Sequence, residues 1–440
     1  MAGVLASGCG WSQAGRQTTP DVVAPAPIEF IVDDYASAHE RALASHKPLV
    51  VEAWARWCAP CLSLKTFVLR DPGLRPLADR FVWLSVDTDK PNNAWFVAKF
   101  ASDAWPTLWV IDAADEAPIL RWTHAATTAE LSGLLDDAAR TSAKGGAGDA
   151  ETAAARGDRA AAVGNAAVAT REYRASLAAA GGDWARRPRV VDALIEQLGA
   201  TKDWSSCVEL AMGELPDMPA GTPRADVARA GLACAAATPR GSPTRQSVAA
   251  LAAIVRRIAL DPNYPILAFD RSELFEALVD HYREEKDEAA AAPIARAWST
   301  FLDDAAQQAR SPAARTIFDE PRLSAYLESG EPDRAIAMLQ QSERELPEES
   351  WPAALLARAY ASEQRWSDAI AAIDRALSRE YGPHKLRTYE AKFDLLFARG
   401  DKPHAKKTLE EAIDYGKQLP PLTGGYAKLL ADFKARVARL

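Results

Sequence analysis

"WARWCAPC", Trp54 to Cys61, holds two of the chain's five cysteines with two residues between them, behind a pair of tryptophans. Three readings compete for such a pair: a redox couple, half of a metal site, or a structural coincidence. The flanking residues separate them. Upstream, "LVVEAWA" (49–55) is a continuous apolar run of the kind a strand buried on both faces shows. Downstream, Pro60 suits the first turn of a helix. The pair therefore sits where a buried strand passes into a helix N-terminus. Amide groups and the helix dipole at such a point favour a thiolate, moving a thiol pKa from about 8.5 toward 7. Cys61, one turn on, faces the same side and can resolve a mixed disulfide. A structural zinc site takes four ligands, yet no second cysteine pair or histidine pair lies nearby. The six histidines are scattered, and His124 is the one late in this part of the chain. No metal and no cofactor are expected.

Working outward, residues 28–140 alternate strand and helix signals. "PIEFIVDD" (27–34) is a short β-rich run, and "DYASAHERALASH" (34–46) spaces Tyr35, Ala38, Ala42 and His46 along one helix face. "FVWLSVD" (81–87), "TLWVID" (107–112) and "PILRWTH" (118–124) read as further strands, with "NAWFVAKFA" (93–101) as a helix. "TTAELSGLLDDAAR" (127–140) opens on a Thr127-to-Glu130 capping box and continues with leucines at helical spacing. Together these make one compact α/β domain. The glycine-rich "TSAKGGAGDA" (141–150) predicts a linker.

Beyond it, in 151–440, strand signals nearly vanish and alanine favours helix. Three segments stack on Ala335, Ala369 and Ala405, 34 and 36 residues apart. Each carries an apolar residue four positions later (Leu339, Ile373, Leu409) and another nine positions earlier (Tyr326, Tyr360, Leu396). A proline follows each time, at Pro347, Pro383 and Pro420. The unit resembles the tetratricopeptide repeat, a helix–turn–helix pair. "WSSCVELAMGEL" (204–215) echoes it and "ATREYRASL" (169–177) does so more weakly, while 216–265 reads as proline-rich and degenerate. Tyr326, Trp351, Tyr360 and Trp366 read as packing between helices rather than as ligand contacts. Cys207 and Cys234 read as small buried apolar residues, with a disulfide between them left open.

The N-terminal segment resembles a thioredoxin-family domain, whose motif is Trp-Cys-x-x-Cys after a buried strand; the likeness covers about residues 28–140. It implies an α/β fold, a central mixed sheet flanked by helices, ahead of an all-α solenoid of repeats. It also implies Cys58 as nucleophile, Cys61 as resolving thiol, and "AWPTLWVID" as the family's loop with a cis proline at Pro106, opposite the cysteines. Extended substrate would then lie against Trp57, Pro60, Trp105 and Thr107. The family's buried aspartate, six residues before the first cysteine, is Glu52 here. A buried carboxyl group at that position would accept the proton of Cys61. Trp105 stands where the family has a β-branched residue. Arg56 either adds positive potential near Cys58 or is a solvated charge. Oxidants of the family tend to have histidine between the cysteines, and Ala59-Pro60 points instead to a reductase of protein disulfides.

The remaining properties bound this reading. A chain of 440 residues predicts two or three domains. A net charge of −8 argues against nucleic acid as a partner. "MAGVLASGCG" (1–10) resembles the end of a bacterial lipoprotein signal, with Cys9 the lipidated residue, and prolines before residue 28 suit a tether. Cell envelope or periplasm is the expected location, with the membrane met only through that anchor; the cytoplasm is the alternative. Expected partners are disulfide-bonded proteins, an electron donor, and proteins held by the repeats. The rival function is an envelope scaffold, in which the N-terminal domain binds without catalysing.

Overall fold

A computed structural model describes residues 27–100, 104–144, 148–422 and 424–440. Cys9 and the proline-rich segment before residue 27 lie outside the described residues. Five strands form one sheet: β1 (Ile31–Val32), β2 (Leu49–Trp54), β3 (Val82–Asp87), β4 (Thr107–Ile111) and β5 (Pro118–Thr123), in the order β1-β3-β2-β4-β5. β2 is central, parallel to β3 and antiparallel to β4, so the sheet is mixed, as expected. Its burial on both faces explains the unbroken apolar run. Alternate side chains leave the sheet on opposite sides. Leu49, Val51 and Ala53 join the core beneath the helices Tyr35–Ser45 and Ala94–Lys99, with Phe96, Trp109 and Ile111. Val50 joins Leu64, Val68, Trp83 and Leu131 on the other face. Glu52, two residues beyond Val50, therefore points to that second face, under the helix that carries Cys61.

The capping box forms as read: the Thr127 N–H donates to Glu130 Oε2 at 2.8 Å, and the Glu130 N–H donates to Thr127 Oγ1 at 3.3 Å. Its helix extends to Lys144, and the next begins at Asp149. Within the expected linker 141–150, residues 141–144 and 149–150 are thus helical, since Thr, Ser, Ala and Lys at 141–144 do not stop a helix. The helix Asp149–Ala162 rests on the sheet, with Ala162 in the core beside Trp109 and Ile111.

The rest is stacked helices. Ala335, Ala369 and Ala405 are completely buried, as are Leu339 and Leu409, which confirms the register of the repeats. The degenerate stretch 216–265 also contributes two helices, Thr222–Ala237 and Val248–Leu260, because its alanines and leucines outweigh its prolines, which sit in first turns and loops. Cys207 and Cys234 are joined in a disulfide with a Cα–Cα separation of 6.2 Å, linking the helices Trp204–Glu214 and Thr222–Ala237. They are buried, as expected, but covalently paired.

Helices and sheet domain meet at an apolar contact of Ala59 and Phe67 with Ile317 and Phe318 and, among the described residues, at two polar seams. In the first, Glu130 Oε1 accepts the Thr222 N–H at 2.7 Å, so one carboxylate caps two helices from the two regions. Arg189 there pairs with the fully buried Asp158 at 3.0 Å. At the second, Arg56 pairs with Glu349 at 2.6 Å and Tyr381 donates to Asp87. The Arg56 guanidinium also lies over the Tyr381 ring. Arg56 is therefore an anchor between regions and not a free charge beside the cysteines. Gly382, with φ +71°, comes so close to the Asp89 backbone that a Cβ would strike its carbonyl oxygen.

Candidate active site

The turn between β2 and the helix Ala59–Ser63 positions the cysteine pair, with Cys58 as the helix N-cap and Pro60 in the first turn. The Cys61 N–H donates to Cys58 Sγ at 3.1 Å, the contact expected to favour a thiolate on Cys58. The two sulfurs are bonded, with Cα atoms 5.2 Å apart, so this is the oxidised state. Cys58 retains 3% exposure and lines a cleft of about 550 Å³, whereas Cys61 is sealed at 0%. Of the two sulfurs' residues, Cys58 is the one that borders the cleft.

The cleft has two walls. Trp57, Pro60 and Trp105 form one, and Glu320, Trp351 and His384 of the repeat helices line the other. Trp57 is held on three sides. Its Nε1 donates to Asp89 at 2.7 Å, its edge meets Trp105 at 5.2 Å, and its face stacks on His384 at 4.2 Å. Trp105 Nε1 donates to Thr88 at 3.0 Å. His384 Nδ1 is in turn 2.6 Å from Glu380. Burial pushes the Asp89 carboxyl up to about 7, against the opposing pull of His384 and of the Trp57 hydrogen bond.

The Trp105–Pro106 peptide is cis, as the resemblance implied. The β2–β4 ladder ends at the Ala53–Thr107 pair, which leaves Trp105 beyond it at the cleft. Thr107 is a correction. It is completely buried and its hydroxyl donates to the Ala104 carbonyl at 2.7 Å, so it shapes the loop and cannot touch substrate. Trp351 is another, since it lines the cleft instead of serving helix packing alone.

Glu52 is 1% exposed beneath the active helix. One carboxylate oxygen, Oε2, accepts from Lys65 and Ser85, each at 3.0 Å, while Oε1 has no hydrogen-bond partner. Burial pushes this carboxyl above its usual range, and the Lys65 ammonium only partly offsets it. Lys65 lies one turn past Cys61, in a wider π-type turn (Leu64–Val68), with its ammonium 3.7 Å from the centre of the Trp54 ring. The one trace of Lys65's role in the sequence is its i+4 spacing from Cys61. Asp89, Glu380 and His384 carried no such signal, being brought in from outside the motif.

His124, read as an isolated histidine, has Asp192 and Asp226 beside it, with one potential donor atom of each within 4.8 Å of the others.

Known proteins bear on both halves of the chain. Residues 31–113 match the thioredoxin-like family model, and residues 326–392 match a tetratricopeptide-repeat model. Curated proteins gave no match. Among solved structures, a tetratricopeptide repeat protein from Parabacteroides merdae is 10% identical, covering 65% of this chain and 99% of its own, with a TM-score of 0.41. A thermophilic TPR protein of Thermus thermophilus is 17% identical, covering 56% of this chain and 99% of its own, with a TM-score of 0.30. By the two family models, a thioredoxin-like segment at residues 31–113 is followed by tetratricopeptide repeats at residues 326–392.

Proposed function

We propose that the protein is a thiol–disulfide oxidoreductase that reduces disulfides in partner proteins. In the reduced enzyme the Cys58 thiolate attacks one sulfur of a substrate disulfide. The bond between the substrate sulfurs breaks, and the departing thiolate takes a proton from solvent. Cys61, giving its proton to Glu52, then attacks Cys58 Sγ and expels the second substrate thiolate. Two electrons have passed to the substrate, and the enzyme is left with the Cys58–Cys61 bond. A dithiol protein returns those electrons by the same exchange in reverse. The observation that carries this reading is the difference in access: Cys58 opens on the cleft and Cys61 is sealed behind it.

Because the repeats supply one wall of that cleft, substrate enters between them and the thioredoxin-like domain. This favours extended segments over intact globular surfaces, and gives the repeats the role of selecting the partner. The buried Cys207–Cys234 disulfide supports an oxidising compartment such as the cell envelope, with Cys9 as the lipid anchor. Mass measurement of the N-terminal peptide after membrane fractionation tests the anchor.

The decisive assay is insulin reduction by the full chain with a dithiol donor. Turnover is expected for the native chain and none for Cys58→Ser, while Cys61→Ser should accumulate a mixed disulfide. A folded chain with an intact pair and no turnover would instead favour the scaffold reading, in which the enclosed cleft only binds.

A further inference from the structure

We propose that His124, Asp192 and Asp226 form a divalent-cation site, of zinc type, across the first seam between the thioredoxin-like domain and the repeats. His124 follows β5, Asp192 lies on the helix Arg187–Ala200 and Asp226 on the helix Thr222–Ala237. One imidazole nitrogen and two carboxylate oxygens thus converge from three elements, all within 4.8 Å of one another. Tetrahedral zinc with bonds of about 2.1 Å places its ligand atoms roughly 3.4 Å apart, so side-chain rotation alone has to draw these in. One histidine with two carboxylates and an open position for water is a donor set suited to a first-row divalent ion.

Partner accounting sets this cluster apart from an ordinary ion pair. Asp192 and Asp226 are 4% and 5% exposed, so both carboxyl groups have left water. Buried polar atoms almost always find hydrogen bonds, yet Asp226 Oδ2 is buried with none. Glu196, another acid whose charge reaches His124, is occupied with Thr123 at 3.0 Å and Arg121 at 3.3 Å. Arg229 approaches Asp226 only at 3.6 Å and is shared with Glu273 at 3.4 Å. Asp270, close by on the helix Ala268–Glu284, adds a further buried oxygen without a partner. The acidic side chains here thus outnumber the two arginines, 121 and 229, that approach them. A bound dication would satisfy the orphaned oxygens together.

The position has a consequence for the redox loop. The His124 N–H donates to the Pro106 carbonyl at 3.2 Å, so an ion on the His124 ring would fix the strand end that holds the cis-proline loop. The cation site stands whether or not the chain reduces disulfides.

The test uses the full chain with both disulfides formed, Cys9 alkylated and adventitious metal removed by chelation. Titration with Zn²⁺ should show one equivalent bound and a raised melting temperature. Co²⁺ in its place should give visible d–d bands without a thiolate charge-transfer band. His124→Gln and Asp192→Asn should each weaken binding at least tenfold and abolish the melting shift. Absence of stoichiometric uptake by the native chain, or unchanged uptake by both variants, would overturn the proposal. If the variants do not fold, the Co²⁺ spectrum of the native chain still decides, because a thiolate band or no bands would refute nitrogen and oxygen donors at one site. A His124 ring that titrates identically by NMR with and without Zn²⁺ would show that a proton, not a metal, bridges the two carboxylates.

Discussion

Glu52 shows how far one residue's environment can be turned into chemistry. Its place on the inner face of β2 takes it out of water, and the single cation beside it, Lys65, only partly restores the charged form. A carboxyl group whose pKa is raised on folding binds a proton more tightly in the folded chain than in the unfolded one. Stability therefore falls as pH rises from the unfolded value near 4.5 through the raised folded value. Glu52→Gln should be more stable than the native chain at pH 7, with the gain gone by about pH 4, where both states of the native carboxyl are protonated. Thermal melts at the two pH values check the sign. The same variant should slow resolution of the mixed disulfide by about a hundredfold, the usual scale for losing a general base. Stopped-flow reoxidation of the reduced chain reads that step separately from attack by Cys58.

Among the elements, the turn between the helices Trp366–Arg379 and Lys385–Ala398 has a second use beyond joining a repeat. Its residues Glu380 to His384 reach the thioredoxin-like domain through Tyr381 on Asp87, Gly382 on Asp89 and His384 on Trp57. Gly382→Ala both forces a side chain into the left-handed region, at about 1–2 kcal/mol, and drives a methyl group into the Asp89 carbonyl. The turn should lift, with a lower melting temperature and faster alkylation of Cys58 in the reduced chain. The other element-scale device is the disulfide across 27 residues between neighbouring helices. Loop-closure entropy assigns it about 3.5 kcal/mol. Replacing Cys207 and Cys234 together by alanine should therefore lower the denaturant midpoint markedly while leaving the Cys58–Cys61 reduction potential unchanged.

For the whole molecule, the two regions share buried polar contacts. Arg189, paired with Asp158 on its own side, also donates to the Arg121 carbonyl across the seam, and Glu130 caps helices on both sides. Separation would strand such groups, at about 1–3 kcal/mol for each one left unsatisfied. Calorimetry should therefore show one cooperative transition for the oxidised chain. Two well-separated transitions would mean that the cleft wall formed by the repeats is loosely docked.

The parts governed by local pattern are legible in the order of residues alone. The apolar run of β2, the Cys-x-x-Cys at a helix start, the capping box at Thr127 and the repeat register at Ala335, Ala369 and Ala405 all rest on spacings of a few residues. They could be read because strand and helix periods write themselves into neighbouring positions. The remainder arises from long-range packing: Lys65 on Glu52, Thr107 sealed inside the loop, Cys207 bonded to Cys234, His384 stacked on Trp57 and His124 beside two aspartates. These depend on how a repeat array curves back onto the domain that precedes it. That curvature is the sum of many small helix–helix rotations, and no single local period encodes it.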